Sequence, residues 1–112
     1  MAKEVKPKIV VAYVDENGRE PYTDWLASLK DEKTRERIRV RIRRLESGLY
    51  GDCESVGKGV LELRLFFGAG YRVYFAEDDG NIVILLCGGD KNSQKRDIKT
   101  AKAYWQEHKE NG

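Results

Sequence analysis

The chain has 112 residues, 40% hydrophobic and 36% charged, and 21 Lys+Arg against 19 Asp+Glu leave a net charge of +2. That length fits one domain with a single modest core, and the apolar share argues against wholesale disorder. The longest strongly apolar run, residues 82–87, is far short of the ~20 residues a membrane helix needs.

The opening MAKEVKPK sets lysines with no apolar stretch behind them, so no secretory signal is expected and the chain reads as cytoplasmic. Residues 8–14 (KIVVAYV) are a β-branched run closed by the turn cluster Asp15-Glu16-Asn17-Gly18, which predicts a first strand. Pro21 suits the start of a helix of about two turns, and Trp25, Leu26 and Leu29 fall on one face of it. Residues 38–43 alternate Ile-Arg-Val-Arg-Ile-Arg like a half-buried strand, yet Ile38, Ile42, Leu45 and Leu49 also keep helical spacing. Length decides: residues 31–47 hold no Gly or Pro and are dominated by helix formers. Asp31 and Glu32 suit the start of this helix, Arg43 and Arg44 its last turn, and Gly48 its stop. The two helices are expected to form a hairpin.

Residues 49–59 carry Gly51, Gly57 and Gly59 and read as a loop. Residues 60–66 (VLELRLF) alternate, which sets Leu61, Leu63 and Leu65 toward a core and Glu62 and Arg64 outward. Gly68-Ala69-Gly70 turns the chain into a strand over 71–76 (YRVYFA), where Arg72 is also expected outward. Asp78-Asp79-Gly80-Asn81 makes a second hairpin turn, and residues 82–87 (IVILLC) are apolar on both faces, as in a central strand. Residues 93–109 read as a final helix carrying Ile98, Ala101, Tyr104 and Trp105. The order is β-α-α-β-β-β-α, with strand turns short enough to force antiparallel neighbours. It predicts one α+β domain over residues 1–112, a twisted, mainly antiparallel sheet packed on a helical hairpin.

Scarce residues limit the chemistry. His108 is the single histidine and sits in what reads as a frayed tail, while Cys53 and Cys87 form no CxxC pair. A structural zinc site needs four N/S ligands, so neither a metal nor a cofactor is expected. A Ser-His-Asp or Cys-His arrangement would hang on that one histidine. Phosphate-binding P-loops and dinucleotide fingerprints are absent from the sequence. Two reduced thiols are the expectation, a Cys53–Cys87 disulfide the alternative. Any catalysis falls to Lys, Arg, Tyr and carboxylates.

The near-neutral total hides a bias. Residues 35–44 (RERIRVRIRR) hold six arginines and one glutamate, and residues 91–109 hold six cations against Asp97 and Glu107. Such patches attract anions, nucleic acid most commonly, and arginine without lysine suits bidentate phosphate contacts. The plainer reading is a solvated helix face. For Arg64 and Arg72 the two readings are a cationic patch and a solvated sheet face paired with Glu62.

One ordered set goes further. Glu62-Leu63-Arg64, a glycine turn, Gly70-Tyr71-Arg72, an acidic-Gly turn, the IVILL strand, then Lys91, Gln94 and Lys95 opening a helix follow each other along the chain. This set resembles the RelE/HigB toxin superfamily, and within it the phage-related addiction module killer proteins, over almost the whole chain. The resemblance implies the toxin of a type II toxin–antitoxin system. Such a toxin is a ribosome-dependent endoribonuclease that cuts mRNA without metal, the 2′-hydroxyl attacking the adjacent phosphate. It further implies the ribosome, mRNA and a cognate antitoxin of helix-turn-helix type as partners, and no membrane.

Residue by residue, the resemblance implies Arg72 for transition-state phosphate stabilisation, Arg64 for a phosphate or base contact, and Lys91 with Lys95 nearby as further catalytic cations. Arg35, Arg39, Arg43, Arg44, Lys58, Gln94 and Arg96 make the candidate RNA- and ribosome-binding surface. The chain departs from the best-characterised members where their lysines fall at Val60 and Glu62, and where a C-terminal tyrosine has no match in Asn92-Ser93-Gln94-Lys95. Proton transfer then rests on Glu62 or Lys95. The alternative is a non-catalytic ribosome- or RNA-binding or partner-assembly module with the same fold.

Overall fold

Hairpin turns too short for a crossover join three strands, β3 (Val60–Leu65), β4 (Tyr71–Asp78) and β5 (Ile82–Gly89), so they pair antiparallel at the centre of the sheet. In this computed structural model, which describes residues 6–111, β1 (Ile9–Ala12) adds parallel to β5 on one edge. A fifth strand, β2 (Cys53–Gly57), adds antiparallel to β3 on the other edge, and the sheet order is β1-β5-β4-β3-β2. Helices α1 (Pro21–Ser28) and α2 (Glu32–Glu46) precede β2, and α3 (Gln94–Asn111) closes the chain. The fold is α+β, as the pattern predicts. The lysine-rich opening lies largely outside the described residues, which begin at residue 6. Among the described residues no helix is long and apolar enough to cross a membrane.

Strand alternation builds two cores rather than one. Leu63, Leu65, Val73, Phe75, Val83 and Leu85 face α1 and α2, meeting Leu26, Ile38, Ile42 and Leu45. Val60, Tyr74, Ala76, Ile84 and Leu86 face the other way, against Ala101 and Trp105 of α3. This second face corrects the expectation that Glu62 and Arg64 look out to solvent. The final helix covers it, and Glu62 is fully buried. Residues 49–59, expected as a loop, contain β2; an edge strand buries one side only and needs no apolar alternation, so its ESV centre carried no strand signal. His108 is not in a frayed tail. It lies within α3, its ring stacked on Trp105 and its Nε2 3.0 Å from Asp78 Oδ2.

A β-bulge shapes the end of β5 beside the start of α3. Register slips between Tyr74 and Phe75, so Cys87 pairs with Tyr74, Gly88 with Val73 and Gly89 with Arg72. Gly88 thereby faces Trp25 of α1 and Gly89 faces Asp97 of α3. A Cβ would lie 2.2 Å from the Trp25 ring at Gly88 and 1.8 Å from Asp97 Oδ2 at Gly89. Only glycine permits both approaches. Cys53 packs on the α1/α2 side and Cys87 on the α3 side, so the sheet separates them and both thiols are free.

Candidate functional site

The chemistry gathers where β3, β4 and the start of α3 meet. Glu62 sits on β3 opposite Tyr74, and Arg64 sits two residues on, opposite Arg72. Two arginines facing each other across a strand pair repel unless a carboxylate lies between them. Glu62 supplies it. Its Oε1 accepts a hydrogen bond from Arg64 Nε at 2.9 Å, and its Oε2 accepts from Tyr74 Oη at 3.0 Å and Gln94 Nε2 at 2.9 Å. Arg72 Nε stands 3.7 Å from the same Oε2, within ionic range.

Burial pushes the Glu62 carboxyl up, but the hydrogen bonds from Gln94, Arg64 and Tyr74 outweigh it and hold the group below the usual carboxylate range. Burial and the adjacent carboxylate push the Tyr74 phenol strongly up, so it remains a donor. Glu62 is thus an ionised, fully hydrogen-bonded hub with no exposed surface. That arrangement does not suit the general base proposed for it from the sequence, because a base needs a free lone pair within reach of its proton.

Above this hub lies an open groove of about 480 Å³, lined by Arg64, Arg72, Lys91, Asn92 and the β3–β4 turn. Of the five candidate catalytic side chains, Arg64, Arg72 and Lys91 therefore converge. Arg72 is the most fixed. Its side chain is 13% exposed, its Nη1 donates to the Gly70 carbonyl at 2.8 Å, and its Nε has no hydrogen-bond partner. A guanidinium carries five N–H donors, so most of Arg72's capacity is unspent. Arg64 is more fully engaged, between Glu62 and the exposed Glu54. Gly70, at φ +72, brings the turn against Lys91: a Cβ there would meet Lys91 Cβ at 3.4 Å, and the Lys91 amide donates to the Ala69 carbonyl.

The remaining candidates divide. Gln94, expected on the RNA surface, spends its amide on Glu62. Lys95 and Arg96 are exposed in the first turn of α3 but do not line this groove, and Arg96 borders a separate depression beside Trp25. Lys58 occupies the β2–β3 turn, roughly 20 Å along the strand from Arg64. On α2, Arg35 and Arg39 pair with Glu32, and Arg39 and Arg43 with Glu36, so two of this stripe's three positive charges are balanced. Among the described residues no three His, Cys, Asp or Glu side chains come together to share a metal ion.

On the other side of α2 sequence reasoning singled out Arg44 but not Arg37 or Arg41. Arg37, Arg41 and Arg44 line a second groove with Leu65, Phe66 and Phe67. Arg37 stacks its guanidinium 3.9 Å over the Phe67 ring, and Arg41 Nη1 donates to the Arg64 carbonyl at 3.0 Å. The signal was present as the i, i+4, i+7 spacing of those arginines. What it lacked was a partner, because the Phe66-Phe67 turn that meets them comes from a distant part of the chain.

Two relationships place the chain. Residues 24–106 match the family of phage derived protein Gp49-like (DUF891), a span that takes in both grooves. The chain is also 49% identical over 86 residues to an uncharacterized protein of Haemophilus influenzae strain Rd, covering 77% of this chain and 87% of that one. The protein belongs to the Gp49-like phage-derived family.

Proposed function

We propose that this Gp49-like protein is a RelE/HigB-type toxin of a type II toxin–antitoxin system, acting as a ribosome-dependent, metal-independent endoribonuclease on mRNA. The observation that carries this reading is Arg72. It stands at the start of β4, its guanidinium held by the Gly70 carbonyl and in ionic range of the buried Glu62, and it lines an open groove shared with Arg64 and Lys91. In the proposed reaction the substrate 2′-oxygen attacks phosphorus, the P–O5′ bond breaks, and a 2′,3′-cyclic phosphate forms. Negative charge grows on the phosphoryl oxygens, and a preorganised guanidinium stabilises it without reorganising. The Lys91 ammonium on the groove wall stabilises the departing 5′-oxyanion, which takes its proton from water. The 2′-hydroxyl proton leaves to water, since Glu62 is sealed beneath the arginines. A cognate antitoxin that covers this groove would hold the activity in check.

Purified protein added to ribosomes translating a defined mRNA tests the reading. Site-specific cuts ending in 2′,3′-cyclic phosphates are expected. Inhibited translation on uncut mRNA would overturn the nuclease and leave the binding-module alternative. Unaffected translation would remove the ribosome as target altogether.

A further inference from the structure

Phe66 is the most exposed large hydrophobic residue described, at 80%. Its backbone is not loose. It sits in a turn closed by the Phe67 amide on the Leu65 carbonyl and the Gly70 amide on the Phe67 carbonyl, both at 3.0 Å. Its neighbour Phe67 is half-buried beneath the Arg37 guanidinium, so one aromatic anchors the turn while the other projects from it. Single exposed apolar residues are ordinary on protein surfaces. The surroundings of this one are not: Phe66 belongs to the wall of both basic grooves, between Arg64, Arg72 and Lys91 on one side and Arg37, Arg41 and Arg44 on the other.

An exposed aromatic ring carried on an anchored turn between two sets of cations is the arrangement that holds single-stranded nucleic acid. Cations track the backbone and the ring takes the face of a base. Duplex RNA would not offer an unstacked base to it. The second groove, about 410 Å³, shares Leu65, Phe66 and Phe67 with the first, so one continuous strand can occupy both. Among the described residues Arg37 and Arg44 have no carboxylate partner, unlike the Glu32- and Glu36-paired stripe of the same helix.

We propose that the Phe66 ring and the Arg37/Arg44 groove form a stacking subsite for a nucleotide of the single-stranded RNA that continues out of the Arg72 groove. The inference rests on the nuclease reading for the identity of that strand. Its test does not rest on catalysis.

The test is fluorescence anisotropy of the whole protein with a labelled single-stranded oligoadenylate across a range of salt. Phe66→Ala and Phe66→Leu should each weaken binding on the order of tenfold without changing the salt dependence, because stacking releases no counterions. Phe66→Tyr should retain wild-type affinity. Arg44→Gln should instead lower the log–log salt slope by about one. Circular dichroism of each variant checks the fold, and the exposed position of Phe66 leaves the core untouched. Wild-type affinity in Phe66→Ala would overturn the subsite, as would an absence of RNA binding by the wild-type protein. Full affinity in Phe66→Leu would do so too, pointing to an apolar protein contact. If ribosomal mRNA cleavage persists in any of these cases, the subsite fails and the nuclease reading stands.

Discussion

Two ion pairs of this protein have the same length and different consequences. Arg64 Nε lies 2.9 Å from Glu62, and Arg43 Nη2 lies 2.9 Å from Glu36. On α2 both partners are about half exposed, at 56% and 52%, and water competes with the pair on every side. On β3 the carboxylate has no exposure, and Tyr74 and Gln94 complete its hydrogen bonds. The α2 pair balances charge on a surface. The β3 pair fixes where the Arg64 guanidinium points, as the proposed phosphate groove requires. Distance alone does not separate the two roles; burial and the completeness of the hydrogen-bond shell do.

Three changes sharpen that contrast, from the largest effect down. Glu62→Ala removes the carboxylate from beneath Arg72, Arg64, Tyr74 and Gln94 and leaves buried donors unpaired. A loss of about 3 kcal/mol in urea unfolding is expected, as for breaking a buried pair from one side. A loss near zero would mean that Glu62 is no hub. The pH dependence of the same site follows from its lowered carboxyl. A group held below its unfolded value contributes stability in full above that value, ~4.3, and loses it as pH falls through the folded one. The unfolding midpoint of the wild type should therefore fall more steeply than that of Glu62→Gln below about pH 4. Parallel profiles would contradict the assignment. Smallest of all, Glu36→Ala should leave the thermal midpoint unchanged within error, since exposed pairs of this kind often contribute nothing measurable.

Periodicity makes the skeleton legible in the sequence. Ile38, Ile42 and Leu45 mark one face of α2, and Leu63 and Leu65 alternate into the core they were expected to enter. Two things were hidden for physical reasons. Alternation states that Glu62 and Leu63 face opposite ways, but not that a helix over thirty residues away covers the Glu62 side. Edge pairing is also silent: β2 gains its place from backbone hydrogen bonds to β3, which any sequence can make. Of the site, Arg64 and Arg72 were readable from alternation as a candidate cationic patch, and Lys91 joined them only through the ordered set carried by resemblance. Gln94 was read as a surface contact because nothing local shows that its amide turns inward. Phe66 passed for the last residue of a strand. Its exposure, and its place between two arginine clusters, exist only once β3 and α2 lie side by side.

In the proposed reaction Arg72 is a transition-state contact, while Arg43 touches phosphate equally in the ground and transition states. Single-turnover cleavage of ribosome-bound mRNA at saturating protein, with each arginine replaced by alanine in turn, tests it most directly. Uniform binding energy alters affinity and leaves the saturated rate, whereas a contact made in the transition state lowers that rate. Arg72→Ala is expected to cut the saturated rate on the order of 10²-fold with a melting curve close to wild type, as for the loss of one preorganised donor. Arg43→Ala should keep the wild-type saturated rate. A folded Arg72→Ala that cleaves as fast as the wild type would contradict the account.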